Sequence, residues 1–276
     1  MSMYENRKIF RDSMEYCAKN ETLRKSIENT ISRQKVTLED DQIRFDAELY
    51  ARYDQEATVR VSRFRSMEAA RQYSSIGRKV CVLNFANWFQ AGGGVVNGCT
   101  AQEECLCRIS TLYPCIASQY CQDNFYNPHR RLGNPMANND VIYSPGITVF
   151  KSDNRAPELM DQKNWFAVDV ITAAAPDLRG CPAEISNSED FRKGLGITHY
   201  KRGSRILDIA LLNEADTVVI GAFGCGAFHN DPEIVAKAYK AILPDYMHAF
   251  RNIEFAIYCP AEYTENYKVF KKVIMG

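Results

Sequence analysis

The sequence predicts an α/β protein with a mixed, mainly parallel sheet flanked by helices and preceded by a helical N-terminal extension. Three observations predict it. Short apolar runs alternate with helical stretches from residue 57 onward, the order that builds a sheet covered on both faces. Two of those runs lead into glycine-rich loops that precede helices. Residues 1–56 differ in texture: they are polar, with Ile9, Met14, Leu23, Ile27 and Ile31 at mixed helical spacings.

In chain order, residues 1–56 are expected to form two or three helices packed on the main body, and residues 57–276 to form one α/β domain. Thr58-Val59-Arg60-Val61 reads as a short strand and Lys79 to Phe85 as a buried one. A helical stretch is expected from about Thr100 to Cys121. Strands follow at Val141-Ile142-Tyr143, Phe166 to Ile171 and Thr217 to Ile220. Between the last two, Ser188 to about Asn213 reads as a helix that Gly194 and Gly196 interrupt. Pro232 to about Ala249 reads as a helix with Asp231 as its N-cap and Pro232 at the first position. A strand at Phe255 to Tyr258 and a helix after Pro260 complete the chain, with no internal repeat or linker in view.

Composition narrows the function classes. Hydrophobic residues make up 46% and charged residues 25%, enough apolar content for a sizeable core. The 34 basic and 34 acidic residues cancel, which disfavours a protein held on nucleic acid by a broad field, so no sequence-specific nucleic-acid partner is expected. Charged residues run through the first twenty positions, and no run approaches the ~18 apolar residues of a membrane helix. A cytoplasmic protein without a membrane partner is expected. Its ten cysteines then read as thiols.

The glycines carry the first functional signal. Gly92-Gly93-Gly94 follows the strand ending near Phe85, and Gly221-Ala222-Phe223-Gly224-Cys225-Gly226 follows the strand ending at Ile220. In a parallel sheet both loops emerge at the carboxyl edge, where ligands bind. Glycine admits close backbone approach to an anion, and a following helix N-terminus favours negative charge. Two such loops on one crevice suit a diphosphate, although each run also serves as a tight strand-to-helix turn. A dinucleotide dehydrogenase is disfavoured, because the second loop spaces its glycines G-x-x-G-x-G rather than G-x-G-x-x-G.

Gln102-Glu103-Glu104 places two carboxylates beside the first glycine loop. Glycoside cleavage needs a group that protonates a leaving oxygen and then activates water, which one carboxylate can do in sequence. Neighbours on a helix project about 100° apart, so the two are expected to have different jobs. Local readings compete with catalysis. Thr100-x-x-Glu103 is a capping-box pattern, and Glu104 and Arg108 have the spacing of an exposed i,i+4 ion pair.

The run from Leu83 through Gly92-Gly93-Gly94 to Gln102-Glu103-Glu104 resembles the signature of poly(ADP-ribose) glycohydrolases. Gly221 to Phe228 and Tyr143 to Phe150 resemble segments of the compact microbial branch, so the likeness covers nearly the whole chain. The resemblance implies a macrodomain-like fold, a poly(ADP-ribose) or ADP-ribosylated protein substrate, and ADP-ribose as product. It implies Glu104 as acid/base and Glu103 as the residue orienting the ribose hydroxyls. It also implies that Gly92, Gly93 and Gly94 clasp the diphosphate together with Gly224, Cys225, Gly226 and Ala227. Phe228 would pack near the distal ribose, Asn87 would hydrogen-bond that ribose, and Gln102 would belong to the ligand-binding set. No metal and no cofactor are implied. Ala91 stands where the family often has proline, a departure that bears on the choice between polymer and mono-ADP-ribosyl substrates.

Other readings rank lower. Cys105 and Cys107 lie about 200° apart around a helix, so they cannot converge on zinc, and the cluster from Cys99 to Cys121 reads as core thiols. Cys225 with His229 four residues on is a candidate nucleophile pair, though a small loop side chain explains it more simply. Against the hydrolase stands a reader that binds ADP-ribose without cutting it. Such a reader needs the glycine loops but no acid/base.

Overall fold

Ser2 opens the first helix, α1 (Met3–Lys19), with a reciprocal cap: its hydroxyl accepts from the Glu5 amide, and its own amide donates to Glu5 at 2.6 Å. Asn20 then caps α2 (Glu21–Arg33) through its side chain. The computed structural model describes residues 1–43, 47–260 and 264–276. Beyond its helices the N-terminal segment supplies β1 (Lys35–Thr37), a strand that a purely helical extension does not anticipate. Its three residues pair antiparallel with the strand that includes Val141 to Tyr143.

The elements that follow are β2 (Thr58–Ser62), α3 (Ser66–Ser74), β3 (Val80–Ala86), α4 (Gln102–Ile109), α5 (Leu112–Ile116) and α6 (Gln119–Cys121). A π-helical turn, Gln122–Tyr126, leads into α7 (Asn127–Leu132). Then come β4 (Val141–Val149), β5 (Phe166–Ala174), α8 (Ala183–Ser186), α9 (Glu189–Leu212), β6 (Thr217–Ile220), α10 (Pro232–Tyr246), β7 (Asn252–Ala256) and α11 (Glu265–Met275). The 7-stranded sheet has the order β1-β4-β5-β3-β6-β7-β2. From β5 to β2 the strands run parallel, and β4 is antiparallel to both its neighbours.

Alternate side chains of the central strands enter opposite cores, as strand geometry requires. Cys81 and Leu83 join Val218, Ile220, Ile171 and Phe255 beneath α9, α10 and α11, where Leu207, Ile242 and Phe270 are fully covered. Val80 and Val82 join Val170 and Val219 on the other face, against Met67 of α3, Leu106 of α4 and Phe10 of α1. The N-terminal helices thus cover a sheet face. Asn6 of α1 donates to the Gly98 carbonyl at 3.1 Å, and Ser13 donates to the Arg108 carbonyl at 2.7 Å.

Two expectations about helices need correction. The stretch from Thr100 to Cys121 is three short helices, because Ser110 turns extended (φ −142°, ψ 175°) and bridges to Val149 of β4. The Thr111 amide also donates to the Thr148 carbonyl at 3.0 Å, so ladder bonds outcompete helix continuation there. Conversely α9 runs unbroken through Gly194 and Gly196, with Ser188 as its N-cap. Asp231 accepts from the amides of Glu233 and Ile234 and caps α10, as its sequence signature predicts. No helix among the described residues is long and apolar enough to cross a membrane.

Candidate active site

β3 and β6 are adjacent and parallel, so the chain leaves both at the same sheet edge and opens two loops toward one cleft. That cleft has a volume of about 880 Å³. Asn87, Gly93, Gly94, Gln102, Glu103 and Glu104 line it from the first loop and α4, and Gly224, Gly226, Ala227 and Phe228 from the second loop.

In the first loop Gly92 and Gly93 are left-handed, with φ +71° and +52°. A Cβ on Gly93 would lie 2.5 Å from Glu104 Oε1 and 3.2 Å from Glu103 Oε2, so only glycine lets both carboxylates close on this turn. The loop amides are already committed. Gly92 donates to Glu103 Oε1 at 3.3 Å, Gly93 to the Gln90 carbonyl at 3.0 Å and Gly94 to Glu104 Oε1 at 2.9 Å. Amides expected to face an anion hold carboxylates instead.

α4 begins at Ala101 as N-cap without a side-chain bond, so Thr100 does not cap it and Glu103 closes no capping box. Gln102 pins the helix start to β3: its Oε1 accepts from the Phe85 amide at 2.9 Å, and its Nε2 donates to the Leu83 carbonyl at 2.7 Å and to Ser66 Oγ at 3.0 Å. Glu103 is buried and accepts from the Asn87 amide at 2.8 Å and from Asn84 Nδ2 at 3.3 Å, besides Gly92. Burial pushes its carboxyl up to about 8, against the opposing pull of the Asn87 amide and with the Glu104 charge adding to the rise.

Glu104 is buried too, yet its Oε2 finds no hydrogen-bond partner among the described residues. Arg108 does not pair with it. The guanidinium donates to the Cys99 carbonyl at 2.6 Å and lies 3.4 Å from Cys105 Sγ. The two glutamates therefore flank one glycine with different donor sets: Glu103 is surrounded, while Glu104 keeps one buried oxygen unpartnered among the described residues.

The second loop is built oppositely. Gly224 is left-handed at φ +78°, and a Cβ there would meet Ala175 Cβ at 2.6 Å and Asn230 Nδ2 at 2.7 Å. The amides of Cys225 and His229 close turns onto Ala222 and Gly226, at 3.0 and 3.1 Å. Those of Gly224, Gly226, Ala227 and Phe228 have no acceptor among the described residues. Such unpaired amides beside a helix N-terminus make an anion-binding concavity. Phe228 is half-buried on the cleft, with the Arg179 guanidinium 5.2 Å from its ring centre.

Cys225 contributes only backbone to this picture. Its side chain packs against the core below α9 and α10, and burial pushes the thiol well above the usual range. No hydrogen bond joins it to the exposed His229, so the nucleophile pair loses its activation. Cys107, Cys115 and Cys121 are buried as expected, whereas Cys99 is exposed and Cys105 half-buried, both on the cleft wall. No group of three or more metal-ligating side chains occurs among the described residues.

Sequence reasoning missed three contributors. Asn84 sits fully buried in β3 between Glu103 and Thr172, and a polar residue inside an apolar strand was the available signal. Asn230 ties the second loop together from behind. Arg65 lies 4.0 Å over the Tyr258 ring and 3.8 Å from Asp153 on the cleft, a grouping across distant segments that no local pattern reveals.

The family model for "Microbial-type PARG, catalytic domain" matches residues 5–152. Among solved structures, poly(ADP-ribose) glycohydrolase (PARG) from Thermomonospora curvata is similar at TM-score 0.84 and 24% identity, over 98% of this chain and 99% of that one. The same protein bound to the inhibitor ADP-HPD gives 0.80 and 26%, over 98% and 99%. The Deinococcus radiodurans glycohydrolase in complex with ADP-ribose gives 0.75 and 26%, over 90% of this chain and 96% of that one. No curated protein matches. With paired carboxylates beside a glycine turn and a family model spanning more than half its length, this chain belongs to the microbial-type poly(ADP-ribose) glycohydrolases.

Proposed function

We propose that the enzyme hydrolyses ribose–ribose O-glycosidic bonds of poly(ADP-ribose) and releases ADP-ribose, with Glu104 as its acid/base carboxylate. The observation that carries this reading is the asymmetry of Glu104. Oε1 is anchored by the Gly94 amide, Oε2 is buried without a partner among the described residues, and the residue lines the cleft. A fixed carboxyl with one unpartnered oxygen suits proton transfer at a defined point.

In the forward step protonated Glu104 donates its proton to the bridging oxygen as the glycosidic C–O bond breaks. The departing ribose leaves as an alcohol, and an oxocarbenium-like sugar remains. Ionised Glu104 then takes a proton from water as that water's oxygen bonds to the anomeric carbon, which restores the acid. Glu103, held by three donors, orients the ribose hydroxyls. Phe228 packs against the same ribose, and Asn87 offers it a hydrogen bond.

The diphosphate is assigned chiefly to the second loop, whose amides at Gly224, Gly226, Ala227 and Phe228 lack acceptors among the described residues. The amides of Gly92, Gly93 and Gly94 are already spent on Glu103, the Gln90 carbonyl and Glu104, so these glycines serve the acid more than the phosphate. Gln102 acts as a strut within the site, because both ends of its amide are used by β3 and Ser66. The solved relatives with ADP-HPD and with ADP-ribose support a ligand of this class.

The test is product analysis after incubation with automodified poly(ADP-ribose) and, separately, with mono-ADP-ribosylated protein. Free ADP-ribose is expected from the polymer. Glu104→Gln is expected to lower the release rate by about 10²–10⁴-fold while ADP-ribose still binds. Binding without release by the unmodified enzyme would make it a reader, and release from the mono-modified protein alone would move the substrate class.

A further inference from the structure

Behind the second glycine loop one buried side chain gathers four segments of the fold. Asn230 is 2% exposed. Its Nδ2 donates to the Pro176 carbonyl at 2.7 Å, the Gly224 carbonyl at 3.1 Å and the Phe228 carbonyl at 3.3 Å. Its backbone amide donates to Gly224 as well, at 3.0 Å. Asn230 Oδ1 lies 2.8 Å from His199 Nε2 of α9. Three carbonyl partners fix the amide's orientation, so the imidazole must be the donor through Nε2–H.

His199 is itself 1% exposed, and burial holds its pKa down, to about 4, so the ring is neutral near pH 7. The next residue, Asp231, caps α10 and pairs with Arg192 at 2.8 Å. The end of β5, the loop after β6, α9 and the start of α10 therefore meet at this amide.

The chemical consequence concerns which groups of the loop remain for a ligand. Asn230 consumes carbonyls, at Gly224 and Phe228, and leaves the amides of Gly224, Gly226, Ala227 and Phe228 without acceptors among the described residues. A loop whose oxygens are turned onto a buried donor presents a positive lining, which is what an anion needs. The close fit leaves little freedom, since a Cβ on Gly224 would already collide with Asn230 Nδ2.

We propose that Asn230, oriented by His199, is a positioning residue that holds the second glycine loop in its anion-binding form and so sets affinity for the diphosphate of the substrate. This rests on the assignment of that loop to the diphosphate. Neither side chain lines the cleft, so both act through the loop backbone.

The experiment measures ADP-ribose affinity by calorimetry and steady-state kinetics on poly(ADP-ribose) for the full chain, with thermal unfolding as a check on folding. Asn230→Ala is expected to weaken ADP-ribose binding and raise KM by about tenfold while kcat stays within about threefold. His199→Leu, which removes the donor to Oδ1, should weaken binding by about three- to tenfold, and His199→Gln, which keeps a donor, should restore it to within about twofold. The His199 pair decides the matter if Asn230→Ala does not fold. Loss confined to kcat, or equal affinity in His199→Leu, His199→Gln and the unmodified enzyme, overturns the assignment. Gly226→Val separates the two ideas, because that position has open space within the fold. If it leaves ADP-ribose affinity unchanged, the loop does not hold the diphosphate and the inference falls with it. If it weakens binding while the Asn230 and His199 variants do not, the loop assignment stands and the positioning role alone is refuted.

Discussion

The two glycine-rich loops look alike in sequence and do opposite things with their backbones. Around Gly93 the amides point at protein, and two of them hold the carboxylates of Glu103 and Glu104. Around Gly226 carbonyls are held by Asn230 while four amides go without acceptors among the described residues. Glycine in the first loop removes a Cβ that would displace a carboxylate, and in the second, at Gly224, one that would collide with Ala175 and Asn230. The difference teaches that a glycine run after a parallel strand marks a close approach without saying what approaches.

The comparison breaks most sharply at Gly93. Gly93→Val must accept φ +52° and a Cβ 2.5 Å from Glu104 Oε1, so the acid is displaced before any ligand arrives. Turnover of poly(ADP-ribose) should fall by about a hundredfold or more, with a smaller loss of ADP-ribose affinity. A variant that loses affinity but keeps kcat would make the first loop a phosphate clasp after all. Gly226→Val is expected to show the converse pattern, about tenfold weaker ADP-ribose binding with kcat less affected.

A pH series sharpens the first loop alone. The folded Glu103 carboxyl keeps its proton up to about 8, whereas an ordinary glutamate loses it near 4.5. The folded state thus binds more protons across that interval, and stability should fall as pH rises through it and level off above 8. The melting temperature should drop accordingly in the unmodified protein, and Glu103→Gln should flatten the slope. An unchanged slope would mean that Glu103 is ionised in the fold. The smallest effect belongs to the second loop: Cys225→Ala should leave turnover within about twofold, since the thiol is turned to the core and its pKa is raised. A large loss of turnover would reinstate it as a reacting group.

Much of the architecture was legible because it depends on local periodicity. The apolar runs at Val80 and Thr217, the Asp231-Pro232 helix start and the order of strands and helices follow from nearest-neighbour chemistry. The break at Ser110 was not legible, since it is imposed by pairing with Val149, and β1 exists only because β4 offers it an edge. At the site, Glu103 and Glu104 were found from their spacing to the glycines. Their surroundings were not, because Asn84, Asn230 and His199 act through hydrogen bonds to residues 19, 6 and 31 positions away. The capping-box reading of Glu103 failed for a physical reason: amides at Asn87 and Gly92 compete better for its oxygens than a helix end does.

One early contact reaches further than its size suggests. Gly98 stands at φ +85° with the space a Cβ would need taken by the Met3 carbonyl oxygen, and its own carbonyl is held by Asn6. The opening helix is thereby fastened to the very strip of chain that carries the acid. Met3 and Asn6 of that helix also line the cleft, so the first turns of the chain are wall to the site as well as cover for the sheet.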